Sequence, residues 1–167
     1  MLNQPDDKVW HSLQTKYAVI YYRSIEDLKK INGKVNYSTE PWSLKRLFSS
    51  SGSDTLIDKL TKKVDALYKR IQEILDMCGR TRKVNIKIYR NRKELNAAYY
   101  NIYKKPSQLR AYYIHELDTI YLNANDIHES ILAHEMAHSI IDSFLLVCPP
   151  RTTAEILACY VDSHLSK

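Results

Sequence analysis

Residues 126–146, DIHESILAHEMAHSIIDSFLL, decide how this chain is read. At the centre stand His134, Glu135 and His138, an H-E-x-x-H motif. Ile131, Leu132, Ala133, Met136, Ala137, Ile140 and Ile141 surround it, a run with helical periodicity and enough apolar surface to be mostly buried. Two histidines four residues apart lie one turn from each other on the same helix face, so their imidazoles can converge on one ion. Glu135 then lies beside that ion, the arrangement that zinc-assisted hydrolysis needs. Two imidazoles and a carboxylate in an apolar helix are costly unless something pairs with them. Asp126 with Glu129 three residues on supplies a capping-box start for this helix, and Pro149 with Pro150 stops it.

Upstream of the motif, Arg110 to His115 and Thr119 to Asn123 have the composition of two strands, joined by a tight turn at Glu116 to Asp118. Downstream of the proline pair a last helix, Thr152 to Leu165, packs back against the motif helix. A catalytic zinc keeps three protein ligands and one open position, so a third ligand is required. The extended pattern H-E-x-x-H-x-x-G-x-x-H is excluded, because Ile141 and Phe144 occupy its glycine and third histidine positions. Glu155 is the better candidate: sixteen residues separate it from His138, enough for the rest of one helix, a reversal and the start of the next. Thr152 and Glu155 also have T-x-x-E spacing, so a purely capping role for Glu155 competes with ligation.

Towards the N-terminus, Lys16 to Tyr22 (KYAVIYY) is apolar on both faces and predicts an inner strand, followed by a short helix capped by Ser24. The stretch from Lys34 to Ser53 breaks all periodicity, and Trp42, Leu44, Leu47 and Phe48 predict a partial return to the core. Ser53 to Cys78 is the clearest amphipathic helix, with Ile57, Leu60, Val64, Leu67, Ile71 and Ile74 at spacings of three and four and Gly79 as its end. Val84 to Tyr89 alternates as a strand with one wet face. Asn91 and Glu94 open a further helix that Pro106 closes. Strands and helices in this order, without repeats, describe one α+β domain over residues 1–167, with 1–15 as an N-terminal extension and 110–165 carrying the motif region.

Composition narrows the classes. At 167 residues with 26% charged and 44% hydrophobic residues the chain can bury a real core, and no apolar run approaches the roughly 20 residues that span a bilayer. Cys78, Cys148 and Cys159 form no C-x-x-C pair and leave one over, so a disulfide framework is not expected. The start MLNQPDDKVWHS is too polar for a signal peptide: a cytoplasmic protein is expected if Met1 is the native start, an exported one if an upstream segment was removed. A net charge of +6 permits an acidic partner.

TIYLNANDIHESILAHEMAHSIID followed by TTAEILACYVDSHL resembles the gluzincin branch of the zincin metallopeptidases, the thermolysin-like peptidase MA clan. The resemblance covers Arg110 to Leu165. It implies a zincin-like fold, a small twisted sheet above an active-site helix, with one zinc ion held by His134, His138 and Glu155 and with Glu135 as catalytic base. It further implies that the hairpin's first strand, with Ala111, Tyr112 and Tyr113, is the sheet edge against which an extended peptide or protein substrate pairs. The family's pattern places an aspartate four residues after its glutamate ligand, and here Cys159 stands there.

The remaining roles follow from chemistry. The developing oxyanion needs a donor besides the metal, and His164 and Tyr160 are the leading candidates, with Tyr112 and Tyr113 behind them. Asp142, one turn beyond His138, and Asp162, two turns beyond Glu155, are candidates to accept the outer N–H of the metal-bound imidazoles. His11, His115 and His128 receive no role. Two other functions compete with a peptidase. One is a catalytically inactive zinc-binding relative whose coordination Cys159 or His164 closes. The other, less favoured, is a basic nucleic-acid-binding module using Arg80, Arg82, Lys83, Arg90, Arg92 and Lys93, whose charges sit at element ends without a nucleic-acid motif.

Overall fold

Alternation in the strands sorts every large side chain to one of two faces. Val84, Ile86 and Ile88 of β3 (Val84–Tyr89) and Ile120 and Leu122 of β5 (Thr119–Asn123) are buried in the main core. Tyr89 and Tyr121 point the other way into a smaller cluster. The computed structural model describes residues 9–37, 55–79 and 82–165. Its remaining strands are β1 (His11–Gln14), β2 (Ala18–Tyr22) and β4 (Ala111–Ile114). They form one five-stranded mixed sheet in the order β1-β2-β3-β5-β4, in which β2, β3 and β5 run parallel and the edges β1 and β4 run antiparallel to their neighbours. Together with five helices among the described residues this makes an α+β fold. None of these helices is long and apolar enough to cross a membrane.

The helices are α1 (Ile25–Lys34), α2 (Leu56–Leu75), α3 (Arg92–Tyr103), α4 (Glu129–Phe144) and α5 (Arg151–His164). On the main face, Leu60, Val64, Leu67 and Ile71 of α2 meet Leu132, Ala133, Met136, Ala137 and Ile140 of α4 beneath the strands. On the opposite face, Leu95 of α3 packs with Tyr89, Tyr112, Ile114 and Tyr121, where Tyr112 and Tyr121 stack at 4.9 Å between centroids. Burying one of these leucine side chains stabilises by about 1.5–3 kcal/mol, so the α2 stripe alone holds that helix in place.

Several expected boundaries hold. The inner strand β2 lies between β1 and β3, Ser24 caps α1 by accepting from the Glu26 N–H, and Asn91 caps α3 by accepting from the Glu94 N–H. Four need correction. His11–Gln14, inside the stretch read as an extension, is an edge strand. The amphipathic helix ends at Leu75 because Asp76 adopts the left-handed conformation (φ 52°), so Gly79 does not end it and Cys78 lies outside it. Ile57, placed in its buried stripe, is exposed. The motif helix starts after His128, without a side-chain cap, and Asp126 instead pairs with Arg110 at 3.3 Å. Residues Trp42, Leu44, Leu47 and Phe48 lie outside the described residues.

The sheet is locked over α4 by its own hairpin. A 3-10 turn (His115–Leu117) and Asp118 in the left-handed conformation (φ 43°) join β4 to β5. The Tyr113 hydroxyl donates to Asp118 at 3.0 Å, and the Ser139 hydroxyl of α4 donates to the same carboxylate oxygen at 3.3 Å. One carboxylate therefore ties the sheet edge to the helix that carries the motif.

A candidate metal centre beneath the sheet edge

Helix α4 is buried on one side by Leu132, Ala133, Met136, Ala137, Ile140 and Ile141, which leaves His134, Glu135 and His138 together on the side facing β4 and α5. The imidazoles of His134 and His138 lie 5.0 Å apart between centroids and are nearly perpendicular. Glu155, in the second turn of α5, completes the group: one carboxylate oxygen lies 3.4 Å from His134 Nε2 and 3.7 Å from His138 Nε2. Its other oxygen faces Arg151 at 3.8 Å. Pro150 precedes the first residue of α5, which puts Thr152 inside the helix, where it cannot be the N-cap. The capping alternative for Glu155 therefore falls away.

These three residues fit a tetrahedral ion. Donors at about 2.0–2.2 Å from a common centre lie about 3.3–3.6 Å from one another. The His134–Glu155 separation of 3.4 Å sits at this spacing and the His138–Glu155 separation of 3.7 Å just beyond it, and all three donor atoms lie within 4.8 Å of one another. Asp162 Oδ2 is 3.0 Å from His134 Nδ1, the bond that leaves Nε2 as the nitrogen facing the other donors. Burial, followed by the neighbouring His134, lowers the pKa of His138, which favours the neutral imidazole a metal requires.

Glu135 is partly buried at the wall of a groove, and that burial, opposed by His134 and reinforced by Glu155, pushes its pKa up to about 7. Its carboxylate accepts the backbone N–H of Tyr113, which works against the rise. Arg110 and Asn123 are joined by a backbone hydrogen bond in the ladder, so by antiparallel alternation Ala111 and Tyr113 turn their main-chain groups to the outer edge of β4. A groove of about 670 Å³ runs along that edge, bounded by β4, α4 and α5, with Glu135, His134, His138 and Glu155 in its wall.

Not every candidate reaches this groove. Tyr160 and His164 stack on each other at 4.0 Å, and His164 Nδ1 lies 2.9 Å from both the Ser163 hydroxyl and the Tyr160 carbonyl oxygen. At about 100° per residue they stand roughly 140° and 180° around α5 from Glu155, whereas Asp162 stands only about 20° from it. They are corrected to outer positions, and His164 supplies no fourth ligand. Tyr112 carries its ring to the sheet's opposite face, and the Tyr113 hydroxyl is taken by Asp118. Asp142 is bonded to His115 Nδ1 at 2.5 Å and to the Cys148 thiol at 3.4 Å rather than to His138. His115, given no role from sequence, thus has a partner 27 residues away that only the tertiary fold reveals.

Of the basic residues proposed for nucleic acid, Arg82 faces Asp118, Lys83 donates to Gln14, Arg90 faces Asp27 and Arg92 donates to the Gln108 carbonyl. Arg80 lies outside the described residues. All three cysteines are free and exposed. Compared with family models, with curated protein sequences and with solved structures, the chain matches none.

Proposed function

We propose that this chain is a zinc-dependent metallopeptidase of the gluzincin type, with His134, His138 and Glu155 as ligands and Glu135 as general base. The observation that carries this reading is the convergence of the three donors beside the partly buried Glu135 carboxylate, directly under an open sheet edge. Zinc bound there would polarise a scissile carbonyl and lower the pKa of a coordinated water. Glu135, held by the Tyr113 N–H, is placed to take a proton from that water and return it to the leaving amine. Asp162 holds His134 in the tautomer that presents Nε2 to the metal.

The outward main-chain groups of Ala111 and the outward carbonyl of Tyr113 offer an extended peptide the hydrogen bonds of an added strand. The apolar and aromatic side chains along the groove, among them Tyr103, Leu109 and Ala154, offer contacts for its side chains. A zincin-like fold accounts for this layout of edge strand, motif helix and ligand helix.

The test is metal content followed by turnover. The purified protein is expected to hold zinc and to hydrolyse peptides in a chelator-sensitive way. Glu135→Gln is expected to keep the metal and lose turnover by about two to four orders of magnitude. A protein without zinc affinity, or a Glu135→Gln variant with full peptidase activity, refutes the proposal. The inactive zinc-binding alternative keeps one specific support: Cys159 lies with Asp162 and His134 in a group whose donor atoms are within 4.8 Å of one another. Sulfur coordination from Cys159 would close the site and favour that alternative.

A further inference from the structure

We propose that His115, Asp142 and Cys148 form a second site, for a divalent ion of the zinc class, in the wall of the same groove. The three come from separate parts of the chain: the turn after β4, the last turns of α4, and the loop that leads into α5. Their donor atoms lie within 4.8 Å of one another. Asp142 is the hub, with one carboxylate oxygen 2.5 Å from His115 Nδ1 and the other 3.4 Å from Cys148 Sγ. Its side chain is only 9% exposed, while that of His115 is 52% exposed and open to an ion arriving from solvent. No donor is shared with His134, His138 and Glu155, so each site can hold its own ion.

The donor chemistry selects the ion. Magnesium and calcium take oxygen ligands, whereas one thiolate, one imidazole and one carboxylate are a borderline-soft set that suits zinc or cobalt. Binding through His115 Nδ1 leaves the imidazole proton on Nε2, and the thiol proton of Cys148 is released to solvent as the thiolate forms. The ion would then clip the loop 145–150 to the end of the sheet edge. That loop launches α5 one turn before Glu155, and it otherwise exposes Leu146 and Val147. The second site thus positions the helix that supplies a donor to the first.

Cobalt titration of the metal-stripped protein separates the two sites, because only a thiolate ligand gives an intense near-ultraviolet charge-transfer band. The wild-type chain is expected to bind two cobalt ions and to show the band. Cys148→Ser is expected to bind one and lack it, His115→Ala to weaken the same site, and Cys159→Ser to keep it. In His138→Ala the band is expected to persist while the sulfur-free site is lost. No band in the wild type, or a band that keeps its full intensity in Cys148→Ser or disappears only in Cys159→Ser, overturns the second site. A single ion with a Cys148-dependent band would uphold this site while the peptidase reading fails.

Discussion

Replacing Glu135 with glutamine in the metal-free protein isolates the cost of burying its charge. The folded-state pKa is raised from 4.5 to about 7, chiefly by burial. A carboxyl with a raised folded pKa binds its proton more tightly in the native state than in the unfolded chain. The associated stability is therefore complete below the unfolded pKa and is lost as pH rises towards the folded pKa. Integrating the difference in proton binding between pH 5 and pH 8 gives a loss of about 2.5 kcal/mol for the wild type, a loss that glutamine cannot suffer. Glutamine keeps an oxygen for the Tyr113 N–H and nearly the same volume, so the substitution removes the charge with little else. Urea unfolding in the presence of a chelator, repeated across that pH range, measures the effect. Glu135→Gln is expected to equal the wild type within about 1 kcal/mol at pH 5 and to exceed it by about 2–3 kcal/mol at pH 8. Parallel stability curves for the two proteins would refute the assignment of Glu135 as a buried, charge-strained carboxylate.

The supporting residues make separable predictions. Asp162→Asn is expected to weaken zinc affinity about 10–100-fold in a chelator competition while thermal unfolding of the metal-free protein changes little, because its role is to orient His134. Leu132→Ala, in the fully buried face of α4, is expected to lower unfolding free energy by about 2–5 kcal/mol in denaturant titration. Tyr160→Phe and His164→Ala, on the outer side of α5, are expected to leave kcat/KM for a peptide substrate within about twofold, and a larger drop would return one of them to the reaction.

What was legible in the sequence follows from how local each signal is. Helix and strand patterns are set by neighbouring residues, and the α2 stripe, β3 and the Asn91 cap were readable for that reason. The spacing of His134, His138 and Glu155 was readable because one helix turn and one proline reversal constrain it. β1 was not, since HSLQ is an edge strand with three of four residues exposed and therefore carries no apolar alternation. The start of α4 was misplaced because Asp126 has the right residue type for a cap but is drawn to Arg110, a tertiary partner. Tyr160 and His164 could have been excluded from the sequence alone, since helical angles already turn them away from Glu155 and bring Asp162 towards it. The pairing of Asp142 with His115 and Cys148 depends on how the hairpin and loop pack over α4, and no local pattern encodes it.

The charges around the motif bear on each other in a way that no single residue shows. Glu155 and Asp162 both raise the pKa of Glu135, while burial and His134 press on His138 towards neutrality. Without a cation, the three carboxylates repel one another around a His138 imidazole that resists taking up a proton, and Glu135 relieves the strain by holding its own proton to about pH 7. A dication in the proposed site would offset two of those negative charges at once. It would favour the ionised form of Glu135, the form that can act as a base. By linkage the ionised form must in turn favour the dication, so proton and metal compete for one cage of carboxylates. The apolar bed of α4 therefore does more than pack: by denying these charges water, it makes the site's readiness for a cation and the basicity of Glu135 a single property of the fold.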